Sequence, residues 1–132
     1  VDRHTALMPA SPLVLLVDDD RDTREMYEIG LELAGLRLAT ARNGQEALAA
    51  ATTLLPDTIV TDLSLPDMDG TDLCGHLAAD ARTARIPIIV LTGRSQAEDL
   101  SRAATAGARR VLIKPCAPDD LAATIQHVLA EP

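Results

Sequence analysis

The chain has no Trp and no Phe, and its one aromatic residue is Tyr27, so a core must be built from Leu, Ile, Val and Ala. It has only two cysteines, Cys74 and Cys116, with neither metal-ligand spacing nor a secretory context. That argues against a disulfide-stapled fold and a zinc site, and for two reduced thiols in a cytoplasmic protein. No apolar run approaches membrane-spanning length and no signal-peptide pattern opens the chain, so no membrane association is expected. Lysine is scarce too: beside eleven Arg stands one Lys, Lys114, between an apolar run and Pro115. A chain that otherwise uses Arg for positive charge has kept its only compact ammonium there. With twelve basic residues against twenty acidic ones the net charge is −8. No basic face is available to neutralise phosphates, so direct nucleic-acid binding by this domain is not expected, and a metal or cationic partner fits better.

What is present is enough for one ordinary domain, with 132 residues of which 47% are hydrophobic. Residues 1–11 read as a disordered leader or an expression remnant, and 12–132 as the folded domain. Acid is concentrated in two places, four Asp from Asp18 to Asp22 and five from Asp57 to Asp72. The second cluster holds the most pointed stretch, residues 58–70, in which a β-branched apolar run ends on Asp62 and a loop with Pro66 and Gly70 follows.

Apolar runs at 13–17, 58–61, 88–91 and 111–113 read as strands, the first and the one ending on Asp62 as buried ones, and 36–41, interrupted by Arg37, as a more exposed edge strand. Helical spacing falls between them. The first helix shows Met26, Ile29 and Leu33 as its apolar stripe and stops near Gly35; the second shows Ala47, Leu48, Ala51 and Leu55 before Pro56. A third, over 71–81, would bury Leu73, Cys74 and Leu77. The fourth, near 96–106, is weakly amphipathic through Ala97, Leu100 and Ala104, which makes it the element best able to move. The last, 118–130, carries Leu121, Ile125, Val128 and Leu129 on one face. Strict β-α alternation with short loops implies an α/β protein, a doubly wound parallel sheet of five strands with five helices covering both faces. Strand order 2-1-3-4-5 suits an exposed second strand.

In such a sheet, ligands bind outside the carboxyl ends of the strands. That rim would carry Asp18 and Asp19 on strand one, Asp62 on strand three, Thr92 on strand four and Lys114 on strand five. Crowded carboxylates repel unless a cation joins them, and hard oxygen ligands describe a Mg²⁺ site. Thr92 offers a hydroxyl and Lys114 a positive charge to an oxyanion held beside the metal. A phosphoryl group, with carboxylate as nucleophile, is the oxyanion most in keeping with that set. Each piece taken singly has a plainer reading. An Asp run before a helix is most often a solvated cap, a strand-end Thr a strand former, a Lys-Pro pair a turn, and His4, His76 and His127 are scattered surface residues. Their common placement on one rim is what raises the combination above its parts.

At these residues, over about 13–129, the chain resembles the receiver domain of two-component response regulators, the CheY-like family with the flavodoxin-like strand order. The carriers are Val-Asp-Asp-Asp at 17–20, Asp-Leu-Ser-Leu-Pro-Asp-Met-Asp-Gly at 62–70, Leu-Thr-Gly at 91–93 and Lys-Pro at 114–115. The resemblance implies that Asp62 accepts a phosphoryl group from a phosphohistidine on a sensor histidine kinase or histidine phosphotransfer protein. It implies Mg²⁺ held by Asp18, Asp19, Asp62 and the backbone carbonyl of Ser64, Lys114 on the phosphoryl oxygens, and Thr92 swinging toward them. It also implies a cis Lys114–Pro115 peptide, a switch that reaches the fourth helix, last strand and last helix, and lifetime tuning at Ser64 and Arg94. Such a domain turns over no substrate beyond its own phosphorylation and dephosphorylation. Its output is a phosphorylation-dependent dimer or a downstream effector.

Two positions depart from the family pattern. Val111 stands where Tyr or Phe is common, and Cys116 where Phe usually follows Lys-Pro; Arg109-Arg110 is basic where many transcription-factor members are acidic. Two other classes remain open at the sequence. One is a pseudo-receiver that binds partners without phosphorylation, to which Val111 and Cys116 lend support. The other is a haloacid-dehalogenase-type phosphohydrolase, whose opening-strand nucleophile motif residues 18–22 complete only in part.

Overall fold

A computed structural model describes residues 11–132; the expected leader therefore lies, but for Ser11, outside the described residues. Five strands, β1 (Leu13–Val17), β2 (Arg37–Ala41), β3 (Thr58–Thr61), β4 (Ile88–Thr92) and β5 (Arg110–Ile113), alternate with five helices. These are α1 (Arg21–Leu33), α2 (Gly44–Leu54), α3 (Gly70–Ala79), α4 (Ala97–Thr105) and α5 (Pro118–Ala130). All pairings are parallel, in the expected order β2-β1-β3-β4-β5. The apolar runs at 13–17, 58–61 and 88–91 are the inner strands, since a strand covered by helices on both faces has no side to leave polar, while the run at 111–113 lies in the edge strand β5. Thus β3 and β4 are buried throughout, whereas β2 and β5 at the edges are half-exposed.

The sheet divides the core in two. One layer joins Leu15, Ile59 and Val90 to α2 and α3 through Ala51, Leu73, Cys74 and Leu77, with Ala103 of α4. The other joins Val14, Leu16, Ile89 and Leu91 to α1 and α5 through Tyr27, Leu31, Leu121, Ile125 and Val128. At a glycine, α1 and α5 come close. A β-carbon on Gly30 of α1 would lie 2.4 Å from Cβ of Pro118, the first residue of α5.

Three helical stripes differ from the sequence expectation. In α1, Met26, Ile29 and Leu33 are 46%, 61% and 85% exposed, and Tyr27 and Leu31 face the core instead. The helix offers two apolar faces, and the one containing Gly30 is the one α5 can approach. In α2, Leu55 lies beyond the last turn, in left-handed backbone with φ of 48°, and is 55% exposed. In α4, Ala97 and Ala104 are exposed, while Ala103 is buried and Leu100 half-buried. Alanine spacing alone does not fix a helix's rotation, because every face of an Ala-rich helix is small enough to pack. The helix ends follow their local signals. Asp20, Asn43 and Asp69 cap α1, α2 and α3 through side-chain oxygens, and Gly35 leaves α1 at φ of 92°.

Candidate functional site

The site grows out of the last residues of three strands. Beyond β1, Asp18 continues the ladder, its N–H donating to the Ala41 carbonyl at 3.1 Å, and its side chain is all but buried. Beyond β3, the Asp62 N–H donates to the Val17 carbonyl at 3.1 Å, so the two carboxylates leave adjacent strands side by side. Beyond β5, the Lys114 N–H donates to the Thr92 carbonyl at 2.8 Å, and the peptide to Pro115 is cis, as the resemblance implied. From there the Lys114 ammonium reaches back across β4 to bond Asp18 Oδ2 at 2.8 Å and Asp62 Oδ2 at 2.9 Å. Burial works against that charge, but the hydrogen bonds and charges of the two carboxylates outweigh it and hold the Lys114 pKa above the ordinary lysine value.

The remaining oxygens are also engaged. Asp18 Oδ1 accepts the Asp20 N–H at 2.9 Å, and Asp62 Oδ1 accepts the Ser64 N–H at 3.1 Å. Thr92, fully buried, accepts the Arg94 N–H on Oγ1 at 3.0 Å. Asp19 and Ser64 are exposed beside this group. The structure therefore draws Asp18, Asp62 and Lys114 into direct contact, with Thr92 joined through the Lys114 backbone. It leaves Asp19 facing solvent. Among the described residues, no three His, Cys, Asp or Glu side chains stand close enough to share an ion. The ammonium, not a third carboxylate, stands between Asp18 and Asp62.

The loop after Asp62 is held by residues whose roles the sequence did not disclose. Gly70 donates its N–H to the Leu63 carbonyl at 2.8 Å, and a β-carbon there would lie 2.4 Å from the Asp62 carbonyl oxygen. Only glycine lets α3 start so close to the Asp62 backbone. The Asp67 carboxylate accepts the N–H groups of Gly44 and Gln45 at 2.8 and 2.9 Å. These bonds tie the loop to the start of α2 and hold the Asp67 pKa below its ordinary value. Arg94 bridges the loops after β3 and β4, with Nε on Ser64 Oγ at 3.1 Å and Nη1 on Asp69 Oδ2 at 2.9 Å. A cap followed by Gly-Thr hints at Asp69 in the sequence; nothing local hints at Asp67, whose partners lie more than twenty residues away.

The family model of the response regulator receiver domain matches residues 14–126. The chain belongs to that family. This receiver domain is 40% identical over 119 residues to the transcriptional regulatory protein PrrA of Mycobacterium tuberculosis, covering 90% of this chain and 50% of that protein. The chain thus spans about half the length of the curated relatives it matches first. Among solved structures, the chemotaxis response regulator CheY4 of Vibrio cholerae superposes with a TM-score of 0.84 at 33% identity, over 89% of this chain and 98% of that one. The receiver domain of the sensor histidine kinase PA1611 of Pseudomonas aeruginosa matches with a TM-score of 0.86 at 28% identity. It covers 92% of this chain and all of that one, which holds a magnesium ion in its active site cleft. The family is one of signalling receivers rather than classical enzymes, and neither the phosphohydrolase nor the pseudo-receiver is favoured. No helix among the described residues is long and apolar enough to cross a membrane.

Proposed function

We propose that this receiver domain takes a phosphoryl group from a phosphohistidine of a sensor kinase or phosphotransfer protein onto Asp62. The observation that carries the reading is the pair of bonds at 2.8 and 2.9 Å by which Lys114 joins Asp18 and Asp62 at the ends of three strands. Asp62 is the nucleophile because it is the carboxylate at the central strand's end, with Ser64 and Lys114 donors already orienting its two oxygens. One Asp62 oxygen forms the new O–P bond as the N–P bond of the phosphohistidine breaks. The imidazole keeps the electron pair and takes a proton from water. Hydrolysis returns the carboxylate and releases inorganic phosphate.

The donor set of Asp18, Asp19, Asp62 and the Ser64 carbonyl consists only of hard oxygens, which fits Mg²⁺. When bound, Mg²⁺ supplies positive charge against the carboxylates and the phosphoryl oxygens. Asp19, which faces solvent, is the ligand that would have to turn in to hold the ion with Asp18, Asp62 and the Ser64 carbonyl. Lys114 then moves its ammonium from Asp18 and Asp62 onto a phosphoryl oxygen, a short shift within the stem's reach. Thr92 gives up the Arg94 N–H it now accepts and donates its own hydroxyl hydrogen to the same group. Because Arg94 heads the segment leading to α4, that exchange moves the α4-β5-α5 surface, and the shift can be no larger than the difference in interaction between the two states. Val111, half-buried against the α2/α3 core layer, has no ring to swing, so the change travels by backbone and helix displacement. The output passes from that surface to a downstream effector or a second copy.

Intact mass after incubation with acetyl phosphate tests the reading. The expected result is a single phosphoryl increment that requires Mg²⁺, is removed by hydroxylamine and is absent in Asp62→Asn. An increment that survives Asp62→Asn, or none in the wild type, overturns it.

A further inference from the structure

Tyr27 is the only aromatic residue of the chain, lies in α1, and is 2% exposed. Its hydroxyl donates to the backbone carbonyl of Cys116 at 2.6 Å, across 89 residues of sequence. Cys116 lies two residues after Lys114, and among the described residues the Lys114 ammonium is the one group that bonds both the Asp18 and Asp62 carboxylates. The segment around Lys114 has few other anchors. β5 is an edge strand paired with β4 alone, Pro115 has no N–H to give, and α5 starts only at Pro118. In front, the Lys114 N–H is held by the Thr92 carbonyl at 2.8 Å; behind, the Cys116 carbonyl is held by the phenol. The ring is packed in the α1/α5 core layer with Leu16 and Leu121, and Cys116 packs against that same layer. The hydroxyl therefore has a fixed origin. One turn earlier on α1, Arg24 donates from Nη1 to the Asp18 carbonyl at 2.8 Å. A single helix thus holds the backbone of both the acidic and the cationic arms of the site.

We propose that Tyr27 is a positioning residue for Lys114: through the Cys116 carbonyl it sets where the ammonium stands relative to Asp62 and to the phosphoryl group. The proposal rests on the phosphoacceptor reading for its catalytic consequence, though not for its structural one. A lysine stem is flexible, so the placement of its charge depends on the backbone that carries it. Small displacements of reacting groups are costly to rate, with about 1 Å worth on the order of a hundredfold.

The test uses Tyr27→Phe, which keeps the ring and removes only the hydroxyl, beside Leu31→Val, a loss of one methylene on the same buried face of α1 that leaves the tether intact. Because Lys114 is the sole lysine, selective ¹³C/¹⁵N-lysine labelling yields one side-chain signal, which reports the ammonium's surroundings without assignment. The rate of Mg²⁺-dependent phosphorylation by acetyl phosphate is read on the same samples, each at the same interval below its own melting temperature. In Tyr27→Phe the lysine signal is expected to shift toward that of a solvated side chain and the rate to fall roughly tenfold, short of a full 1 Å misplacement. Leu31→Val should keep both. An unmoved signal and rate in Tyr27→Phe, or equal changes in Leu31→Val, overturn the proposal. A wild type that gains no phosphoryl group defeats the phosphoacceptor reading instead, while the lysine signal still decides the positioning claim.

Discussion

Lys114 is where charge and geometry meet at the scale of single residues. Its ammonium stands between Asp18 and Asp62, and truncating it leaves two carboxylates facing each other with Asp18 buried. Lys114→Gln is expected to lower stability and to slow phosphorylation by at least tenfold. Millimolar Mg²⁺ should restore much of the stability, because a cation binding only the folded form adds to it. Urea unfolding with and without Mg²⁺ measures both effects. Cys74 sets a different pH limit. Buried in α3, its thiol is pushed up from 9.0 to about 11, so the folded state favours the neutral form. The stability it contributes is complete below pH about 9 and is lost as pH rises toward 11, when the unfolded chain ionises and the folded one does not. Two pKa units correspond to about 2–3 kcal/mol. Urea midpoints at pH 8 and pH 10.5 should therefore converge in Cys74→Ala relative to the wild type. Both residues could be singled out in the sequence, Lys114 as the only lysine and Cys74 as part of an apolar stripe. The burial of Cys74 was legible in that stripe, but the two partners of Lys114 were not, since they lie on elements far away in the chain.

At the scale of elements, the turn from β3 into α3 decides whether Asp62 is presented correctly. Gly70→Ala would drive a β-carbon to 2.4 Å from the Asp62 carbonyl oxygen and 2.7 Å from Leu63 Cα, and neither is a side-chain end that can yield. It is expected to cost about 1–3 kcal/mol as an overpacking change. On the proposed phosphoacceptor reading it should also lower the phosphorylation rate, since the strain falls on the peptide of Asp62; a melting curve paired with the acetyl phosphate assay checks both. Asp67→Ala removes the carboxylate that receives two amides of α2, and should lower the melting temperature at neutral pH. Because the Asp67 pKa is depressed in the fold, that contribution is present above its unfolded value and lost as pH falls through the folded one. The difference between Asp67→Ala and wild type should therefore vanish in acid. The helices show how far periodicity reaches. In α3 and α5 the apolar stripes are single, and the expected Leu73, Cys74, Leu77, Leu121, Ile125 and Val128 are buried. In α1 two stripes compete, and the choice falls to Tyr27 and Leu31 because Gly30 on that side admits Pro118.

For the whole molecule, a sheet standing between two core layers separates substitutions made in one layer from those made in the other. Leu77→Ala, in the α2/α3 layer, should cost about 2–5 kcal/mol, and Ile125→Val, in the α1/α5 layer, about 0.5–1.5 kcal/mol. With the sheet between them, the double variant is expected to equal their sum within about 0.5 kcal/mol. A larger coupling in urea denaturation would show that the layers communicate through the strands. Such communication would bear on how phosphorylation is transmitted, because Asp62 and Thr92 sit at the ends of strands that touch both layers. By itself the sequence determined the alternation of strands and helices, the parallel order and the identity of the rim residues. Each follows from local signals: apolar runs of strand length, caps, glycines and prolines, and the rule that parallel sheets gather chemistry at their carboxyl ends. Only the tertiary structure decided that Lys114 lies between Asp18 and Asp62 with Asp19 outside, that Asp67 caps a helix it does not precede, that α1 buries Tyr27, and that the phenol holds the backbone beyond Lys114. Those are contacts between residues twenty or more apart, and their geometry is set by how the elements pack rather than by anything adjacent in the chain.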